Sequence, residues 1–265
     1  MSIKNFEEMG KKRFLMWNDA INEIMGSFRS NEIVLLHWAS KNWKSMYTMS
    51  IANQNWMNWI KTAYFSLEMD KETLKMQQSC IRAWIDRKTF EEASYTDKQW
   101  ASYCNHFEWF ERNFTLYDEV DFMWENSIDN VVKKIQELHL QEWVDLFIID
   151  SLKLIKWKPS WGSDNARDNM CITRLKELKN KLPICIILIH HNIKDWSNFS
   201  WWQDLENFSD WRIMIKKNLD ENADWIKYFH QTEITIHKER LWKEMEFLFN
   251  FDKWNLIYLP KAKSY

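Results

Sequence analysis

Three segments of the chain are apolar without the strict alternation of a half-buried strand: NEIVLLH at 31–37, VDLFIID at 144–150 and ICIILIHH at 184–191. Short runs that offer apolar side chains to both faces belong to parallel strands enclosed between helices. Segments of helical spacing lie between them, among them about 44–55, 128–140 and 165–181. A further strand is expected over Lys61–Leu67, with Asp70 placed to cap the helix that follows. Residues 85–113 read as polar and mostly helical, FTLYDEV at 114–120 as a short strand, and residues 1–30 as a partly amphipathic helical stretch ending near Gly26. The tail from Ala223 is rich in strands and closes with EMEFLFNFDKWNLIYLP, two strands joined at Asp252–Asn255. Strands alternating with helices and then a terminal meander predict an α/β fold, a mostly parallel central sheet flanked by helices with a C-terminal β-hairpin. The economical division is an N-terminal extension over 1–30 and one domain over 31–265.

The first apolar run leads directly into WASKNWKS, residues 38–45, and then a helix. With glycine in place of Trp38 and Trp43 this segment matches the phosphate-binding loop G-x-x-x-x-G-K-[ST] in full. In such a loop the backbone of Trp38, Ala39, Ser40, Lys41, Asn42 and Trp43 turns N–H groups toward the phosphates. Lys44 supplies a mobile cation, and Ser45 offers a hydroxyl to Mg2+. As written, the indole of Trp43 takes the space the phosphates need.

Composition points the same way. A usual glycine content of about 7% would give roughly 19 in a chain of this length, whereas there are 3, beside 19 tryptophans. Asn42-Trp43, Asn55-Trp56 and Asn58-Trp59 would be Asn-Gly turn signals if each tryptophan were glycine, and Trp254 occupies the hairpin position that favours it. Trp157, Trp161 and Trp242 lie in polar, turn-like contexts as well. The expectation is that most of these tryptophans stand for glycines, through a UGA codon read as glycine in the host and as tryptophan here. Trp100, in the helical TDKQW, is expected to be genuine. The rival is a tryptophan-rich protein with a defunct loop.

A net charge of −2 gives no overall basic footprint, so contact with nucleic acid would have to come from local patches or from a channel assembled by several subunits. The cysteines at 80, 104, 171 and 185 form no metal-ligand spacing, and the N-terminus carries scattered charges with no apolar segment of signal or membrane-spanning length. A cytoplasmic protein with no membrane partner is expected.

Asp150 closes a buried strand about a hundred residues after the loop and suits an acid that holds Mg2+; alone, it reads equally well as a helix cap or a solvated strand end. The ordered series FSLEM (65–69), LFIIDSLKL (146–154), ILIHHNIK (187–194), FSDWR (208–212) with DENAD (220–224), and ITIHKERLWKEMEFLFN (234–250) resembles the RecA-like motor domain of DnaB-type replicative helicases. HHNIK is also similar to plasmid-borne hexameric helicases, and the architecture to KaiC-like and RadA-like ATPases.

The resemblance runs from about residue 15 to the end and implies an ATP-dependent DNA helicase, a RecA-like P-loop NTPase using ATP and Mg2+. By position, it makes Glu68 the carboxylate that polarises the attacking water and His190 the γ-phosphate sensor, with His191 the alternative. Lys238 and Arg240 match the pair inserted into the neighbouring subunit's site, Arg240 as the arginine finger; the expected assembly is therefore a homo-hexamer. Lys156, Lys158, Arg212, Lys216 and Lys217 are the candidates for holding single-stranded DNA. Further partners would be a helicase loader or a primase. The expected departure from cellular relatives is the absence of their N-terminal helical domain, as in phage or plasmid versions. The alternatives are a RecA-like or KaiC-like ATPase without unwinding activity, and a non-catalytic assembly protein whose loop is blocked by Trp38 and Trp43.

Overall fold

A computed structural model describes residues 11–16, 19–38, 44–85, 87–123, 125–156, 164–191, 209–217, 230–238, 243–252 and 255–259. The strands are β1 (Arg13–Phe14), β2 (Phe28–Arg29), β3 (Glu32–Trp38), β4 (Thr62–Ser66), β5 (Thr115–Asp118), β6 (Leu146–Asp150), β7 (Cys185–His191), β8 (Trp211–Lys217), β9 (His230–Lys238), β10 (Lys243–Asp252) and β11 (Asn255–Leu259). The helices are α1 (Asp19–Met25), α2 (Lys44–Met57), α3 (Lys71–Ala83), α4 (Arg87–Glu91), α5 (Asp97–Asn113), α6 (Ile128–Glu142) and α7 (Asp164–Lys181).

Among the described residues, nine strands form one sheet in the order β11-β10-β9-β8-β3-β7-β6-β4-β5. From β8 to β5 all neighbours are parallel, and β9 to β11 complete the sheet as an antiparallel meander. The α/β architecture expected from the apolar runs is therefore present. Strand alternation sorts β3 between two cores: Val34 and Leu36 join Tyr47, Ile51, Tyr64 and Ile148 on one face, while Ile33 and Leu35 join Val131, Leu138, Ile172 and Leu175 on the other. Helix α2 covers the first face, and α6 and α7 cover the second.

The leading segment differs from the helical stretch expected. Its described part is a short helix, α1, between two strands that pair antiparallel, Phe14 opposite Phe28. The reason is burial: Phe14, Met16, Ile21, Met25 and Phe28 all enter the α2-side core, and Phe28 meets the edge of the Trp211 ring. Residues 11–29 thus pack with the sheet rather than apart from it.

Helix starts follow the expected chemistry. Asp70 Oδ1 accepts from Thr73 N at 2.8 Å at the start of α3. Thr96 and Gln99 form a reciprocal capping box at the start of α5. In the terminal hairpin Asp252 pairs with Asn255, in the register expected; Trp254 lies outside the described residues, as do Trp157, Trp161 and Trp242.

Helix ends are where tryptophan is out of place. Trp59, Trp84 and Trp143 have φ of 63°, 60° and 61°. After Trp59, Ile60 N donates to Asn55 O, and Trp59 N donates to Trp56 O, the paired bonds of a Schellman ending. Ile85 N to Cys80 O closes the ending at Trp84 with the same long bond, while at Trp143 the bonds run from Trp143 N to His139 O and from Val144 N to Leu138 O. These left-handed positions favour glycine because a Cβ there crowds the following carbonyl. All three indoles are exposed, by 93%, 50% and 74%, so little burial offsets the strain. Trp56 corrects the expectation for Asn55-Trp56: it lies within α2 and meets Trp109 edge-on at 4.7 Å, while Asn55 is fully buried. Trp100 is helical, as expected, and stacks on Tyr95 and Tyr103.

Replacing Trp59 or Trp143 by glycine is expected to raise the stability to urea by about 1 kcal/mol each, with Trp100→Gly losing a comparable amount or more. An unchanged or lower urea midpoint for both Trp59→Gly and Trp143→Gly would show that these endings carry no strain.

Candidate nucleotide site

The parallel strands bring their carboxyl ends to one edge of the sheet, where α/β sheets bind ligands. Strand β3 reaches this edge at Trp38 and α2 starts at Lys44, a strand and a helix on either side of the segment that carries the motif. Ala39, Ser40, Lys41, Asn42 and Trp43 lie outside the described residues, and for Trp38, Lys44 and Ser45 only the backbone is described.

Asp150 ends β6 at the same edge and is 4% exposed. Its Oδ2 accepts from Tyr64 Oη at 2.8 Å, and that hydroxyl is 3.3 Å from Thr48 Oγ1. Thr48 is one helical turn after Ser45, so the buried acid is tied to the first turns of α2, on the α2 face of the sheet. Leu67 N and Glu68 N donate to Asp150 O at 2.6 and 3.2 Å, which pins the turn after β4 to the end of β6. Glu68 thereby stands exposed beside Asp150. Among the described residues no group of three or more His, Cys, Asp or Glu forms a metal cage. One buried acid at the carboxyl edge of a parallel sheet is nevertheless the kind of partial ligand set that Mg2+ shares with phosphate oxygens.

The two histidines of β7 separate by strand alternation. His190 turns to the α7 face, where its Nε2 lies 3.3 Å from Asp168 Oδ2 and its ring meets that of His37 at 5.9 Å. It therefore points to the face of the sheet away from Asp150. His191 has the strand parity of Ile189, the register partner of Asp150, and itself pairs with Trp38.

Arg167 donates through Nε and Nη2 to Asp168 Oδ1 at 2.9 and 2.8 Å. Burial pushes the Asp168 carboxyl up, but the hydrogen bonds from His190 and Arg167 outweigh it and hold the group below its ordinary value. His37 is held well below the ordinary imidazole value by burial first, then by His190 and Arg212.

Lys238 lies at the opposite edge. It pairs with Trp211, which pairs with Val34, four strand residues or about 13 Å before the loop begins. Its ammonium sits 4.1 Å from the centre of the Trp211 ring, and the indole Nε1 donates to Glu32 Oε2 at 2.7 Å. Lys238 is thus buried, far from the segment that carries the motif; Arg240 lies outside the described residues. Lys179 and Asp210 form a buried ion pair nearby, and Ile33 N donates to Asp210 Oδ2 at 2.8 Å.

The DNA candidates are not brought together. Lys156 is exposed, its backbone tied to Asn126 and Ile128 at the start of α6. Arg212 is half-buried on β8 near His37. Lys216 and Lys217 end β8 with only their backbone described, and Lys158 lies outside the described residues. Sequence reasoning missed Tyr64, Thr48, Asp168 and Arg167; the signal for the last two was a histidine at the ends of two strands, each in need of a buried partner.

His37 gives a pH dependence of definite sign. The unfolded chain takes up a proton near 6.5, whereas folded His37 resists it. Its contribution is fully present above 6.5 and falls below it by up to about 1.4 kcal/mol per pH unit. Denaturant titrations at pH 7.5 and 5.5 are expected to show a loss in the parent that is about 1 kcal/mol smaller in His37→Gln. Equal losses would show that His37 titrates normally.

Residues 18–198 match the family model described as the DnaB-like helicase C-terminal domain. Of the solved structures, an ATPase domain is similar at 14% identity and a TM-score of 0.78, over 97% of this chain and 96% of that one. A DnaB-like replicative helicase, from a structure concerned with its interactions with primase, is similar at 16% identity and a TM-score of 0.79, over 97% of this chain and 67% of that one. The KaiC-like protein PH0186 from Pyrococcus horikoshii OT3 is similar at 14% identity and a TM-score of 0.67, over 94% of this chain and 100% of that one. No curated protein matches the sequence. At such identities the structures show the fold, that of RecA-like ATPase domains; the family model, spanning more than half the chain, shows the family. The chain belongs to the DnaB-like helicase C-terminal domain family.

Proposed function

We propose that the chain is the motor of an ATP-dependent DNA helicase, hydrolysing MgATP between the subunits of a homo-hexamer to translocate on single-stranded DNA during replication. The observation that carries this reading is the chain from Asp150 through Tyr64 to Thr48, which ties a buried acid to the helix that follows the phosphate-loop segment. ATP supplies the phosphoryl group and Mg2+ neutralises charge on its oxygens. Lys44, Ser45 and Asp150 hold them, Glu68 orients the attacking water, and His191 rather than His190 senses the γ-phosphate. The HKER segment serves a neighbour's site, with Arg240 as the finger, while Lys238 is held by Trp211 at the far edge of the sheet. Lys156, Lys158, Lys216 and Lys217 are the proposed DNA contacts, multiplied by the ring. A loader or a primase is the further partner, by analogy with the helicase studied with primase. Among the described residues no helix is long and apolar enough to cross a membrane, which is compatible with a cytoplasmic motor.

The native protein is proposed to carry glycine at most of the tryptophan positions, Trp38 and Trp43 included, through UGA recoding. The exposed left-handed tryptophans at 59, 84 and 143 support this. A second reading, an ATPase without unwinding activity, draws on the likeness to the KaiC-like protein.

Mass spectrometry of the native protein across residues 32–46 is expected to read glycine at 38 and 43. The chain with Trp38→Gly and Trp43→Gly is expected to hydrolyse ATP with Mg2+ and to displace a strand from a forked duplex. Adding Lys44→Ala should lower kcat by about 10²-fold or more. Hydrolysis without displacement favours the second reading; a glycine form that hydrolyses nothing overturns both.

A further inference from the structure

Tyr64 carries a hydroxyl where a bare ring would fill the space. It lies in β4 between Ala63 and Phe65, wholly buried, and joins the α2-side core with Val34, Leu36, Ile51 and Ile148. Phenylalanine would pack there with no polar atom to satisfy, and a buried hydroxyl weakens a core unless it is hydrogen-bonded. The hydroxyl is satisfied in one particular way. It donates to Asp150 Oδ2 at 2.8 Å and lies 3.3 Å from Thr48 Oγ1. A carboxylate that holds a cation only accepts, so the single phenolic proton goes to Asp150, and the phenol oxygen is left to accept from Thr48.

The main chain and the side chain of Asp150 are held separately by one stretch of β4 and its turn. Leu67 N and Glu68 N donate to the Asp150 carbonyl, and Ser66 is its register partner across the β4–β6 pair. These contacts fix where the backbone stands but not how the carboxylate is turned. The Tyr64 hydroxyl, from two residues before Ser66, supplies that restraint. Thr48 in turn connects the phenol to α2, whose first turn bears Lys44 and Ser45. None of the three residues is a tryptophan, so the arrangement does not depend on which residues in the native protein are glycine.

We propose that Tyr64 is a positioning residue for the divalent cation: its hydroxyl orients the Asp150 carboxylate and thereby sets how tightly Mg2+ is held with the nucleotide. The assignment rests on the motor reading. Tyr64 is given no contact with nucleotide or metal and acts through Asp150. Removing the hydrogen-bond partner of a metal ligand commonly weakens metal binding by about 10- to 100-fold. A group with this role changes the affinity for metal and leaves metal-free nucleotide binding as it was.

The test uses the full chain with Trp38→Gly and Trp43→Gly as parent, and Tyr64→Phe, which removes the hydroxyl and keeps the ring. Binding of Mn2+ in the presence of ADP, followed by electron paramagnetic resonance, is expected to weaken about tenfold in Tyr64→Phe. The Mg2+ concentration for half-maximal ATP hydrolysis should rise by a similar factor, while kcat at saturating Mg2+ and ADP affinity in EDTA stay near the parent's. Thr48→Val is expected to move Mn2+ affinity in the same direction by a smaller factor, and takes the place of Tyr64→Phe should that variant not fold. Unchanged Mn2+ affinity in the variant measured overturns the positioning role and leaves the motor reading intact. An equal fall in Mn2+ affinity and in metal-free ADP affinity does the same, because it marks a general loss of structure. A parent that binds neither ADP nor Mn2+ overturns both.

Discussion

Parallel pairing of β3 with β7 on one side and β8 on the other holds the rest of the structure in place. Because the pairing is in register along the whole of β3, the strand ends arrive at one edge together. Trp38, His191 and Asp150 become neighbours there although they are far apart in sequence. Both faces of these strands are covered, so a shift of one residue would exchange the two cores and bring His37 and His190 to the side of Asp150. The two chemistries of this edge, the acid tied to α2 and the ion network tied to α7, are kept apart by nothing more than that alternation.

Much of this was legible in the sequence because it rests on local pattern. Continuous apolar runs marked β3, β6 and β7, Asp70 and its helix announced themselves by capping chemistry, and the hairpin register followed from its alternation. Position on a face was harder. His190 and His191 differ by one residue and so by the whole thickness of the sheet, and no pattern in HHNIK says which faces α2. Nor does any pattern around Lys238 show that Trp211, from another strand, draws it into a cation–π contact beside buried Glu32. Asn55-Trp56 looked like a turn from its dipeptide alone; the burial of Asn55 against the backbone of Leu15 keeps that segment helical.

The tryptophans divide by environment in a way composition could not reveal. Trp211 is wholly buried and donates a hydrogen bond, Trp56 and Trp109 pack edge to face, and Trp100 stacks in an aromatic row. Those at the ends of α2, α3 and α6 satisfy none of the reasons a protein has for using so large a side chain. The same residue type thus serves as a packing unit in one setting and as a strained helix terminator in another.

The central place of β3 also bears on the order in which the molecule can be assembled. This strand is made early, yet the groups that flank it come from β7 and β8; the Ile33 N–H finds the carboxylate that accepts its hydrogen bond only in Asp210, 177 residues later. A chain emerging from the ribosome therefore carries an apolar, unpaired strand through most of its synthesis. Folding around the carboxyl edge of the sheet is a late event that depends on the last third of the chain.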